Sequence, residues 1–285
     1  MAVETTFSRS QGNGALDWLE EFVGGPAVAK LGDRHPLTIA LRARERRSNG
    51  GMLTLAQERA VALVEGAALA LRRHEGDWTD HTDDLRKLLT SEGDLGAIIF
   101  ELEVGDYLES AAPRTYRWSR FEEGAPDWVD DGGGVGVECH RAMSTTKLTD
   151  YGKTLSTKAK QHQNWTGALV IALGFNGTAT AEQAQSMHKE AKRHLPWMTR
   201  HREVSAVLIF GSQRAGKRRT TASGIPGLEF RAAQVIEIRN HNAFRPIPPG
   251  QLGDGPELSR RTFPSAMQSL TQPVIPAPTP RRPHP

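Results

Sequence analysis

Apolar residues recur at helical spacing through most of the first hundred positions. Ala15, Leu16, Leu19, Phe22 and Val23 form one apolar stripe. Between 52 and 73, Leu55, Ala56, Ala60, Leu63, Val64, Ala67 and Leu71 trace one face of a longer helix, with Gly50 and Gly51 before it. Further helices are expected at 83–89 and at 94–110, the latter with Asp94 as its N-cap. Near Pro113 the period changes to two. Tyr116 and Trp118 alternate with Arg117 and Ser119, and Val135, Val137 and Cys139 alternate with Gly136, Glu138 and His140. Turn-rich stretches at 123–127 and 130–134 separate these strands. A polar helix over 147–163 follows, then a buried-type run at 168–173. A helix over 179–194, a second buried run at 204–210 and a strand at 232–238 complete the pattern.

Alternation of helices and strands over 94–240 predicts an α/β core built on a mixed sheet flanked by helices. Residues 1–93 form a helical N-terminal region ahead of it. From 241 the pattern lapses: 11 of the 17 prolines lie between Pro246 and Pro285, which predicts a disordered, Pro-rich tail. No apolar run approaches the roughly 18–20 residues needed to span a bilayer. The first residues carry neither the basic nor the apolar part of a signal peptide, so a cytoplasmic protein without membrane partners is expected. Cys139 is the only cysteine, which excludes a disulfide framework and a multi-cysteine zinc site.

Charge is unevenly spread. Residues 1–140 hold 25 Asp+Glu against 15 Lys+Arg, a net of −10, and residues 141–285 hold 8 against 21, a net of +13. A basic half points to a polyanionic partner, nucleic acid first, unless the halves neutralise each other across an internal interface.

The candidate chemistry lies in the hairpin. On one strand, Glu138 and His140 share a face that looks outward, while Val137 and Cys139 share the apolar face. Asp127, at the end of the neighbouring strand, can approach Glu138 across the pair. Two such carboxylates suit Mg²⁺ or Mn²⁺, which prefer oxygen ligands, and a bound ion there activates water and stabilises charge on a phosphate.

Pro126-Asp127, ten residues, then Glu138-Cys139-His140 resembles the motif of the PD-(D/E)xK nuclease superfamily, the restriction-endonuclease-like fold. The resemblance covers about 94–212 and extends to element order. Glu101 stands on the helix before the first strand, where the family often carries an acidic residue. Lys158-Ala159-Lys160-Gln161 stands on the helix after the motif strand, matching a Lys-Ala-x-x-Gln-like signature. The resemblance implies a metal-dependent phosphodiesterase acting on nucleic acid, DNA favoured. Asp127, Glu138, the main-chain carbonyl of Cys139 and Glu101 would serve the metal, and Lys158 and Gln161 the metal-bound water or scissile phosphate. His140 stands where the family has lysine, so it acts as base or ligand, Lys158 substitutes for it, or catalysis is lost and a binding scaffold for nucleic acid or a partner protein remains.

Other signals point elsewhere. The run 211–217 fits G-x-x-x-x-G-K, but Arg218 follows instead of Ser or Thr and no helix is signalled. A basic loop is the better reading, with Arg214, Lys217, Arg218 and Arg219 available to nucleic-acid phosphates. Cys139 and His140 are adjacent on a strand and point oppositely, so they cannot form an activated thiol pair. Trp118 and Trp128 flank the hairpin, for core packing or for stacking on bases. The helical region or the tail is left for homodimerisation or for docking a partner protein.

Overall fold

The computed structural model describes residues 9–112, 114–142, 151–175, 201–211, 217–220, 226–229, 233–247, 251–252 and 260–263. Seven helices come first: α1 (Arg9–Val23), α2 (Gly25–Val28), α3 (Pro36–Ser48), α4 (Leu55–Arg73), α5 (Glu75–Trp78), α6 (Thr82–Thr90) and α7 (Glu92–Ala111). Then follow β1 (Tyr116–Trp118), β2 (Trp128–Asp130), β3 (Val135–Ala142), α8 (Tyr151–Gln161), β4 (Ala168–Phe175) and β5 (Val204–Gly211). The described chain closes with β6 (Lys217–Thr220), β7 (Pro226–Glu229), β8 (Ala233–Arg239) and β9 (Arg260–Phe263). The helix expected over 179–194 lies outside the described residues, as do 264–285 of the tail.

Local chemistry sets the helix boundaries. Thr54 caps α4 by accepting from the Gln57 N–H at 3.3 Å, and Gln57 Oε1 accepts the Thr54 N–H at 2.9 Å, a reciprocal pair that satisfies two end donors. Pro36 opens α3, where a missing N–H costs nothing, and His35 Nδ1 accepts from the Leu37 N–H at 3.2 Å. The α3 helix was not expected, because its run of arginines obscures the buried set Leu37, Ala40, Leu41 and Ala43. The α4 face holds at Val64, Ala67 and Leu71, but Ala56 is exposed. The α7 helix begins at Glu92 with Ser91 at its N-cap, one turn earlier than Asp94 implied.

Seven strands form one mixed sheet in the order β1-β2-β3-β4-β5-β8-β9. The pairs β1/β2 and β2/β3 are antiparallel, β3/β4 and β4/β5 parallel, and β5/β8 and β8/β9 antiparallel. The strands β6 and β7 make a separate two-stranded ribbon. One face of the sheet lies against α7, which also packs on α4 and α6. The approach is close: a Cβ at Gly105 would collide with the Trp128 ring, so only glycine fits there. A single apolar core therefore runs from Leu16 and Leu71 through Ile98 and Leu102 to Val137, Val170 and Leu208. On the opposite face, Leu155 and Ala159 of α8 are buried with Leu169, Ile171 and Leu173.

The chain remains packed past 241. Ile247 and Leu252 are buried, the Tyr107 hydroxyl donates to the Leu252 carbonyl at 3.2 Å, and β9 pairs with β8. No described helix is long and apolar enough to cross a membrane.

Candidate functional site

Strand register brings the two carboxylates together. Trp128 pairs with Val137 in antiparallel register, so Asp127, one residue earlier, stands opposite Glu138. There β2 ends, and its backbone role passes to a side chain: Asp127 Oδ2 accepts the Cys139 N–H at 2.7 Å. The N–H and C=O of one strand residue point to the same edge, so the Cys139 carbonyl faces the Asp127 side as well.

Glu138 does not look out into solvent. It is 6% exposed, because α8 lies over its face. Lys158 Nζ donates to Glu138 Oε1 at 2.5 Å, and His162 Nε2 donates to Oε2 at 2.8 Å. Positions 158 and 162 are four apart and stack on one side of the helix as it ends. Gln161 does not join them. It is exposed at the last residue of α8, about 60° round the helix from Lys158 on the side away from His162.

Glu101 arrives from the α7 side. Its Oε1 is paired with Arg120, and its Oε2 accepts from Trp118 Nε1 at 3.2 Å. The Glu101 main-chain carbonyl accepts from Trp128 Nε1 at 2.9 Å. Both tryptophans are fully buried and stack with centroids 6.4 Å apart, so they are core residues and not a platform for bases.

Neither a family model, nor a curated protein, nor a solved structure matches the chain.

Burial, reinforced by the charges of Glu101 and Glu138, holds the Asp127 carboxyl well above the usual carboxylate range. Burial pushes Glu101 up too, against the opposing charge of Arg120. At Glu138 burial acts in the same direction, but the hydrogen bond from His162 and the charge of Lys158 outweigh it and hold the group below its ordinary value. Burial and then the charges of Asp127, Glu101 and Glu138 push the Cys139 thiol well up, so this buried cysteine is an inert core residue. His140 is half-buried, and burial and the Lys158 ammonium lower its pKa, which leaves a neutral imidazole at neutral pH.

The donor set suits a hard divalent cation: carboxylates of Asp127, Glu138 and Glu101, with one main-chain carbonyl. Asp127 is the carboxyl of the group without a balancing cation: Glu101 has Arg120, Glu138 has Lys158, and Asp127 has no ion-pair partner among the described residues. These side chains are not gathered into a closed cage. Among the described residues no three or more His, Cys, Asp or Glu converge on one metal position.

The basic segment takes a form that was not expected. Lys217, Arg218 and Arg219 belong to β6, paired with Glu229, Leu228 and Gly227 of β7, and Arg214 lies outside the described residues. A strand rather than a helix follows Gly216-Lys217, so the phosphate-binding-loop reading falls. Sequence reasoning missed His162. Its four-residue offset from Lys158 was the available signal.

Proposed function

We propose that this chain is a metal-dependent nuclease that hydrolyses phosphodiester bonds in nucleic acid, DNA favoured, on a restriction-endonuclease-like core. One observation carries the reading: Asp127 and Glu138 are brought opposite each other at the end of β2, with Glu101 close enough to raise Asp127 and Lys158 on Glu138. The element order supports it. The Glu101 helix, the hairpin, the motif strand, the Lys158 helix and a parallel strand follow one another as the family resemblance implies.

Asp127, Glu138 and the Cys139 carbonyl would hold Mg²⁺ or Mn²⁺, with Glu101 behind them. When bound, such an ion lowers the pKa of a water and stabilises charge on a phosphate. Lys158 brings the cation that His140 lacks to the carboxylate that needs it, and orients the scissile phosphate. His140, kept neutral, accepts a proton near the same strand end. The ribbon residues Lys217, Arg218 and Arg219 hold the nucleic-acid backbone.

A second reading has its own observation. Both oxygens of Glu138 already have partners, as expected of a retained fold that binds nucleic acid or a protein without cutting. Cleavage of supercoiled, linear and single-stranded DNA and of RNA, with Mg²⁺, Mn²⁺ or chelator, separates the two. Metal-dependent cutting lost in both Asp127→Ala and Glu138→Ala is the nuclease result. Metal-independent binding without cutting on any substrate is the scaffold result.

A further inference from the structure

His162 lies between the two segments that carry the carboxylates. Its Nε2 is 2.8 Å from Glu138 Oε2, and its Nδ1 is 3.4 Å from the carbonyl of Gly124, three residues before Asp127. Its own main-chain carbonyl accepts the Trp165 N–H at 2.9 Å, which fixes the turn that ends α8. The ring is buried and cannot swing freely. Trp165 and Pro126 close the same face from the other side: a Cβ at Gly136 would stand 2.5 Å from Pro126 Cγ and 2.9 Å from the Trp165 ring. Glu138 is thus drawn toward α8 by two donors from a single helix end. Each oxygen that accepts one hydrogen bond keeps a second lone pair for a cation, but the two bonds together fix the direction in which the carboxylate points.

We infer that His162 is a positioning residue that latches Glu138 to α8, and that a divalent cation gains Glu138 by taking Oε2 from it. This rests on the metal-dependent reading above. Lys158 keeps Oε1 throughout, so the carboxylate pivots about the lysine and is not released from both partners. The latch accounts for a donor set of the right chemistry that is not gathered around one point. The opposite role is well defined. A histidine that orients a metal-bound carboxylate strengthens binding, and its loss typically costs about 10–100-fold in affinity. The two roles predict changes of opposite sign.

The test is Mn²⁺ binding to the full chain, by titration calorimetry and by loss of the free-ion electron paramagnetic resonance signal, without nucleic acid. Wild type, His162→Ala, His162→Gln, and Glu138→Gln in the wild-type and His162→Ala backgrounds are compared. The latch predicts binding about tenfold tighter in His162→Ala, the scale of one lost charged hydrogen bond, with His162→Gln between the two. Glu138→Gln should remove the gain. Where His162→Ala fails to fold, His162→Gln carries the test, and tighter binding than wild type supports the latch. Unchanged or weaker binding in the folded His162 variants overturns the latch and leaves the metal reading standing. Absence of Mn²⁺ binding in every protein, His162→Ala included, overturns both.

Discussion

The two ends of β2 carry two aspartates with the same backbone task in opposite electrostatic surroundings. Asp130 Oδ1 accepts the Val135 N–H at 2.7 Å, and its Oδ2 is paired with Arg114. Asp127 Oδ2 accepts the Cys139 N–H at the same 2.7 Å, but its charged neighbours are led by Glu101 and Glu138, and both raise its pKa. One end is balanced by a cation, and at the other a partly buried carboxyl raised well above its ordinary range has no ion-pair partner among the described residues. A protein gains nothing in stability from the second arrangement, and it is at that end that the proposed metal site lies.

Removing each charge in turn gives the largest expected contrast. Asp127→Asn should lower metal-dependent cleavage by about a thousandfold, on the scale of losing a group aimed at transition-state charge. Its thermal stability should hold or rise, because the amide relieves a repelled charge. Asp130→Asn should do the reverse: cleavage within a few-fold of wild type, and a loss of about 2 kcal/mol in urea unfolding. Breaking a buried pair costs roughly 3–5 kcal/mol, and the partial exposure of Arg114 reduces that. Equal stability losses in the two variants would erase the contrast.

The Asp127 end also leans on His74, whose ring meets Trp128 edge-on at 4.9 Å between centroids. Burial works against the charged ring, but hydrogen bonds with Asp77 and Glu109 prevail and push its pKa from 6.5 up to about 9. A histidine raised on folding stabilises fully below its unfolded value and ceases to do so as pH climbs through its folded value. Urea midpoints should therefore fall between pH 6.5 and about 9, and His74→Gln should flatten that alkaline decline. The smallest effect belongs to Gln161→Ala. This exposed site should change stability by no more than about 0.5 kcal/mol and leave cleavage intact, whereas Lys158→Met should impair cleavage.

Much of this was legible along the chain because it is local. The alternation from Val135 to His140 placed Glu138 beside Asp127 through pleat and register, and the apolar runs of β4 and β5 identified buried strands, which the fold pairs in parallel. What escaped was set by distant partners. Whether Glu138 faces solvent depends on a helix about twenty residues later, and no periodicity in β3 encodes that. His162 sits just past a helix end, where amphipathic patterning stops. Arg114 and Arg120 meet their carboxylates, Asp130 and Glu101, only on folding. The core of α3 was hidden because arginines fill the exposed positions between its few apolar residues.

The helix α7 has one flank in the helical layer and the other against the sheet, within a single continuous core. Two layers that share a buried wall unfold together, so one cooperative melting transition is the natural behaviour of this chain. Thermodynamic linkage then applies to the whole. An ion held in the proposed site between Asp127 and Glu138 would raise the melting temperature of α1, α3 and α4 as much as that of the strands, although none of those helices would supply it with a ligand.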